Sequence, residues 1–177
     1  MEKKIYLRLY EGNRKYLQDS DAELRRRLAG EGQHPFAIVI CCSDSRVVPE
    51  EIFSAKPGEL FVIRIAGNVL DNHQLGSVEY AAGHLDCGEI ILLGHTGCGA
   101  VGAALHGGGE GYIKYITDDI LEAIGDEKDA DEACRLNVKH GVKRLKEEFS
   151  AHPEISGASI SGAVFDLVSG KVEWLED

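Results

Sequence analysis

Three stretches of the chain are apolar at nearly every position: PFAIVICC at 35–42, ELFVIRIAG at 59–67 and GEIILLGH at 88–95. Each is short and rich in β-branched residues, the pattern of a strand buried on both faces. Short helices are predicted between and after them, over 49–54, 75–85 and 98–105, the last following the glycines at 94 and 97. Strand and helix alternate, which predicts an α/β fold with a mainly parallel central sheet flanked by helices on both faces. Catalytic groups in such sheets gather at the carboxyl ends of strands. Cys42 and His95 stand at two such ends.

Before the first strand, Ile5, Leu7, Leu9, Tyr16 and Leu17, then Leu24 and Leu28 behind an Asp19/Ser20 cap, give residues 2–29 helical character. Residues 1–30 therefore read as a helical N-terminal arm. Beyond the glycine-rich HGGGEG at 106–111, helix-like stretches cover 112–124 and 128–149. The chain closes with SISGAVFDLVSGKVEWLED, in which two alternating runs flank Ser169-Gly170 and predict an antiparallel hairpin at the sheet edge. No linker interrupts the pattern, so 1–177 is expected to be a single domain.

Composition narrows the chemistry. A chain of 177 residues with 44% apolar positions buries one substantial core. Its net charge of -11 argues against a phosphate-backbone ligand, which needs clustered cations to release counterions. The one basic cluster, Arg25, Arg26 and Arg27, reads as a solvated helix face. The N-terminus lacks a signal-like apolar run, and nowhere do about 18 apolar residues follow one another, so neither a membrane nor a nucleic acid is an expected partner and the expected location is cytoplasmic. Five cysteines, at 41, 42, 87, 98 and 134, are an odd number and scattered. A reducing compartment disfavours reading them as disulfides, which turns attention to thiolates as metal ligands.

Zinc in proteins is usually four-coordinate, bound by Cys, His or carboxylate, and catalytic sites keep one position for water. His95-Thr96-Gly97-Cys98 places a His and a Cys three apart at a strand-to-helix turn, where both can point to one side. Cys42 joins them if the two strands are neighbours. Taken singly, HxxC reads as a helix-start His with a packed Cys, and Cys42 as core. The neighbours Asp44-Ser45-Arg46 change this, because a charged Asp and Arg directly after a buried strand need partners. Two thiolates and a neutral imidazole nearly cancel the zinc charge, so a nearby acceptor would assist. Asp44 can accept the proton of a zinc-bound hydroxide, while Arg46 keeps Asp44 ionised and fixed by a charge-assisted bond. Cys41 falls on the opposite strand face from Cys42 and reads as core, as do Cys87 and Cys134.

CxDSR at 42–46 followed by HxxC at 95–98 resembles the β-class carbonic anhydrases, as do PGELFVIRIAGN (57–68), SVEYA (77–81), EIILLGHTGCGA (89–100), Asn137-Val138 and GAVFDLVSG (162–170). The resemblance implies one Zn2+ per chain on Cys42, His95 and Cys98, with Asp44 and Arg46 as a catalytic dyad beside the fourth ligand. It implies reversible hydration of CO2 to bicarbonate and a proton. It also implies a homo-oligomer, a dimer or dimer of dimers, with active sites at the subunit interface. By motif position, Gln33, Phe61 and Tyr80 match the Gln, Phe and Tyr of the narrow substrate pocket in plant-like members, and the backbone of Gly99 lies beside it. On spacing alone Phe61 and Tyr80 are core residues and Gln33 an ordinary loop residue.

Some members carry a Trp and a Tyr in a bicarbonate site that switches the enzyme off; here Val39 and Phe165 stand at those positions. Many have RN where this chain has Arg64-Ile65. His34, His73 and His106 are candidate proton relays. Two rival chemistries stay in view: the same zinc chemistry on carbonyl sulfide or carbon disulfide, and a zinc protein without turnover, for which Asp44 and Arg46 would be superfluous. Gly97–Gly102 also satisfies GxGxxG, but dinucleotide binding needs a second strand ending in an acidic residue about 20 positions on. Asp118 and Asp119 fall on a predicted helix instead.

Overall fold

The strand β1 (Ala37–Cys41) is buried at all five positions, which is why its sequence shows no polar alternation. The computed structural model describes residues 2–150, 152 and 157–176. It divides into two compact units at Gln33–His34.

The N-terminal unit holds α1 (Glu2–Asp19) and α2 (Ala22–Glu31). The cap between them is Asp21, not Asp19 or Ser20: its carboxylate accepts the N–H groups of Glu23 at 2.9 Å and Leu24 at 3.0 Å. The Ser20 hydroxyl turns back to donate to the Tyr16 carbonyl, which removes it from capping.

In the second unit, β1 is followed by α3 (Pro49–Ile52), β2 (Leu60–Arg64), a 3-10 turn over Ala66–Asn68, α4 (Asn72–His84) and β3 (Glu89–His95). Three helices come next, α5 (Gly99–Leu105), α6 (Ile113–Ile124) and α7 (Ala130–Phe149), before the hairpin β4 (Ser159–Phe165) and β5 (Val172–Leu175). The sheet order is β2-β1-β3-β4-β5, with β5 alone antiparallel. The expected α/β sheet and its edge hairpin are both present. The hairpin turn is organised by Asp166, whose carboxylate accepts the N–H groups of Val168 and Ser169, and by Gly170 at φ 72°.

Alternation along the strands sorts the core into two faces. Ile38, Ile40, Ile90, Leu92 and Val164 pack against Val78 and Ala81 of α4 and Val138, Val142, Leu145 and Phe149 of α7. Val39, Cys41, Leu93 and Ala163 face the other way, against Val47 and the partly buried Ile52 and Phe53. Cys41 thus lies on the face opposite Cys42. A third cluster, made of Cys42, Cys98, Val101, Ala104, Ile120, Ile124, Ala133 and Cys134, closes the carboxyl end of the sheet.

The strand order determines where a site can form. From β1 the chain crosses to one side, to β2, and from β3 to the other, towards β4. The loops leaving β1 and β3 therefore part company, opening a crevice at the carboxyl ends of these two neighbours. Among the described residues no helix is long and apolar enough to cross a membrane.

Candidate metal centre

The crevice holds the expected ligand set. Parallel pairing sets Cys41 opposite Leu93, so Cys42, one residue past β1, and His95, the last residue of β3, emerge side by side. The turn after β3 brings Cys98 back to them just before α5 begins. The two sulfurs and an imidazole nitrogen all lie within 4.8 Å of one another, and all three residues are buried. A tetrahedral zinc with its usual bond lengths needs ligand atoms about 3.5–3.8 Å apart, so small adjustments seat one cation among them.

The imidazole is oriented for that task. Nδ1 of His95 lies 2.9 Å from the Thr96 carbonyl, to which it donates, leaving the lone pair on Nε2. That Nε2 is fully buried and has no hydrogen-bond partner. An unpartnered buried acceptor costs about 1–3 kcal/mol, and a cation removes the cost. The turn is held from outside: the Thr96 N–H donates to the Phe165 carbonyl at 3.0 Å, and the Leu167 N–H donates to the Thr96 hydroxyl at 3.1 Å.

The sulfurs are prepared unequally. Cys42 Sγ receives the N–H groups of Gly67 at 3.3 Å and Asp44 at 3.4 Å. The Cys98 thiol donating to it is the largest influence and draws its pKa well below the usual thiol range. The Cys98 thiol is pushed up, because its proton is shared with Cys42 and because it is buried, against the pull of the Val101 and Ala100 N–H groups. The two thiols are thus pushed in opposite directions by the bond between them, and a divalent cation held by both sulfurs would displace its proton. By contrast, burial pushes Cys41 up to about 12 and Cys134 to about 11, as expected of core thiols.

Asp44 and Arg46 stand at the mouth. Arg46 grips the carboxylate with Nε on Oδ1 at 2.9 Å and Nη2 on Oδ2 at 2.7 Å, and its backbone N–H adds a third bond at 3.0 Å. The guanidinium holds Asp44 well below the usual carboxylate range. Asp44 Oδ2 is 4.0 Å from His95 Nε2, so an ionised acceptor stands beside the candidate ligands. A second arginine was not anticipated. Arg64 donates from Nη2 to the Asp44 carbonyl at 2.7 Å and from Nε to the Cys42 carbonyl at 3.4 Å, tying the loop after β1 to the end of β2.

The remaining expected residues are placed differently. Gly99 adjoins Cys98, with nothing within 4 Å of where a side chain would begin. Phe61 and Tyr80 do pair, ring centroids 6.3 Å apart, and Tyr80 also meets His84 at 5.5 Å. Phe61 sits opposite Ile38 in the sheet, four residues and about 13 Å before Cys42 along the strand. Within one chain these rings do not join the metal cluster. Gln33 ends the N-terminal unit. His73 pairs with Asp71 and His106 with the Gly102 carbonyl, local contacts on their own helices. The GxGxxG run opens α5, but helices α6 and α7 come before the next strand, so no strand ends in an acidic residue about 20 positions on.

Comparison with known proteins bears on this arrangement. Residues 37–172 match the family model described as carbonic anhydrase. The carbonic anhydrase of Pseudomonas aeruginosa is 36% identical over 164 residues, covering 81% of this chain and 74% of that protein. The β-carbonic anhydrase of Coccomyxa superposes with a TM-score of 0.80 at 30% identity, over 94% of this chain and 84% of that one. A tetrameric β-carbonic anhydrase of Sordaria macrospora superposes with a TM-score of 0.75 at 26% identity, over 99% and 96% of the two chains.

Proposed function

The chain belongs to the β-carbonic anhydrase family, and we propose that it hydrates CO2 reversibly to bicarbonate and a proton at the crevice between β1 and β3, with one zinc ion per chain held by Cys42, His95 and Cys98. The observation that carries this reading is the buried, unpartnered His95 Nε2 within 4.8 Å of two sulfurs. Among the described residues no polar group hydrogen-bonds to it, and the donor set of two thiolates and an imidazole suits zinc. Zinc, when bound there, supplies a Lewis acid that makes water nucleophilic near neutral pH.

The chain's own residues then have separable tasks. Asp44 accepts a hydrogen bond from the attacking water, turning a lone pair towards the carbon of CO2. Arg46 keeps that carboxylate ionised, so it can only accept, and its bidentate grip fixes the direction in which Oδ2 points. Arg64 holds the Asp44 backbone from the other side. Gly99 offers backbone without a side chain next to Cys98, leaving room for a small linear substrate.

Phe61 and Tyr80 line the substrate pocket in this reading, supplied across a subunit interface, and Gln33 stays a substrate-binding candidate by its motif position. The separation of Phe61 from the metal cluster of its own chain supports that arrangement, as does the tetrameric assembly of the Sordaria macrospora relative. The protein is accordingly a homo-oligomer, and both units belong to one functional domain. All five cysteines are unpaired, in keeping with a reducing, cytoplasmic location.

Zinc content per chain together with stopped-flow CO2 hydration, followed by a pH indicator, tests the assignment. Wild-type protein should carry one zinc and turn over. Asp44→Ala should keep its zinc and lose about 10²–10⁴-fold in rate, the usual worth of a positioned proton acceptor. Full activity in that variant would remove Asp44 from the mechanism, and a wild-type protein with zinc but no hydration would overturn the CO2 assignment, leaving carbonyl sulfide or carbon disulfide as substrate or a zinc protein without turnover.

A further inference from the structure

We propose that Asn137 is a positioning residue for the metal-binding sulfur of Cys42, acting through the backbone of Gly67. The inference rests on the reading of Cys42 as a ligand and adds to it a residue 95 positions away in the chain.

Cys42 Sγ has two backbone donors. The Asp44 N–H is local, two residues on, and its position follows from the same loop. The Gly67 N–H comes from the turn after β2, so something outside the loop must aim it. Gly67 adopts φ 67°, ψ 12°, and Asn68 follows at φ 45°: two consecutive left-handed residues, the second without a glycine's freedom. Such a conformation persists only where the surroundings over-determine it.

Those surroundings are visible. The Asn137 Nδ2 donates to the Gly67 carbonyl at 2.8 Å, and both groups are buried. On the other side a Cβ at Gly67 would come within 2.8 Å of Ile120 Cδ1 and 3.1 Å of Ala100 Cβ, so a side chain there would crowd both as well as carry a positive φ. Two turns further along α7, Arg144 Nη1 donates to the Leu70 carbonyl at 2.7 Å. One helix thus holds the segment 67–70 at both ends, and of its two side chains it is Asn137 that bonds to the residue reaching the sulfur. The Asn137 bond fixes the Gly67 carbonyl and, through the left-handed φ and ψ of that residue, bears on the direction of the N–H that reaches the sulfur.

An N–H bond to a thiolate stabilises the sulfur lone pairs. Removing it raises their energy, so sulfur-to-metal charge transfer moves to longer wavelength, and the ligand is held less well. Outer contacts of this kind are worth about 10–100-fold in metal affinity.

The full chain, loaded with Co(II), provides the test. Asn137→Ala and the isosteric Asn137→Asp, which places an acceptor against the Gly67 carbonyl, should shift the charge-transfer band of the wild type to longer wavelength. Both should also weaken zinc about 10–100-fold in a chelator competition. Arg144→Met, which frees the other end of the segment, should leave the band in place. A merely structural amide would lower the melting temperature and move nothing else. Wild-type protein without a charge-transfer band would sink the ligand assignment itself. An unmoved band in the Asn137 variants, or an equal shift in Arg144→Met, would sink this inference alone. If the variants do not fold, 113Cd-loaded wild type decides: coupling from the metal to the Gly67 amide proton supports the relay, and its absence overturns it.

Discussion

Gly94→Ala is expected to destabilise the fold through a single neighbour. Gly94 lies in β3 directly before His95, and a Cβ there would sit 2.5 Å from Val138 Cγ2. Carbon atoms pack at about 3.5–4.0 Å, so the overlap exceeds 1 Å. Val138 cannot turn away. Its other methyl already faces Gly162, where a Cβ would come within 2.8 Å, and a valine in a helix has essentially one χ1 rotamer. The strain therefore falls on the seat of α7 against the sheet and belongs in the upper part of the 1–3 kcal/mol range for overpacking, about 2–3 kcal/mol. For a chain of this length that is a fall in Tm of about 4–12 °C. Val138→Ala alone removes two methyl groups from a fully buried site and should cost about 2 kcal/mol. In the double variant the alanine occupies space the valine has vacated. The double-mutant cycle, measured by denaturant unfolding, should show the two losses failing to add by about 2 kcal/mol. Strict additivity would show that the glycine is not there to admit Val138, and the argument would fall.

Three further outcomes are expected. Cys42→Ser should leave the chain folded but with little zinc after dialysis, measured by metal analysis; a stoichiometric ion in that variant would contradict the ligand set. Stripping zinc with a chelator should lower the Tm of the wild type: at free zinc 100-fold above its Kd, binding adds about 2.7 kcal/mol, or about 5–11 °C for a chain of this size. Cys41 and Cys134, whose pKa values burial lifts to about 12 and about 11, should resist iodoacetamide at pH 8 in the native state; mass-spectrometric detection of rapid modification would show that the core opens.

Patterns confined to one segment were legible from the residues. The continuous apolar run at 37–41 and the alternation around Ser169-Gly170 predicted β1 and the edge hairpin because burial on two faces or one is written into each residue's polarity. Cys42, His95 and Cys98 could be grouped because strand ends and a short turn supply two of the three positions locally. The Asp19/Ser20 cap was placed two residues early because Asp, Ser and Asp follow in succession and only geometry selects Asp21. What supports the site was not legible. Arg64, Gly67 and Asn137 act on or through backbone carbonyls and N–H groups, and a backbone group has no identity in the sequence. A sharper eye for charge would have found Arg64, since a guanidinium ending a strand needs acceptors as much as Asp44 needs donors.

The donors at this crevice come from the ends of two interior strands of the unit, β1 and β3, with 52 residues between Cys42 and His95. Loosening of the outermost ribbon β5 leaves the donors where they are, whereas parting β1 from β3 carries Cys42 away from His95 and Cys98. Escape of a captured ion thereby becomes a clock for opening of the middle of the sheet, insensitive to fraying at the hairpin edge.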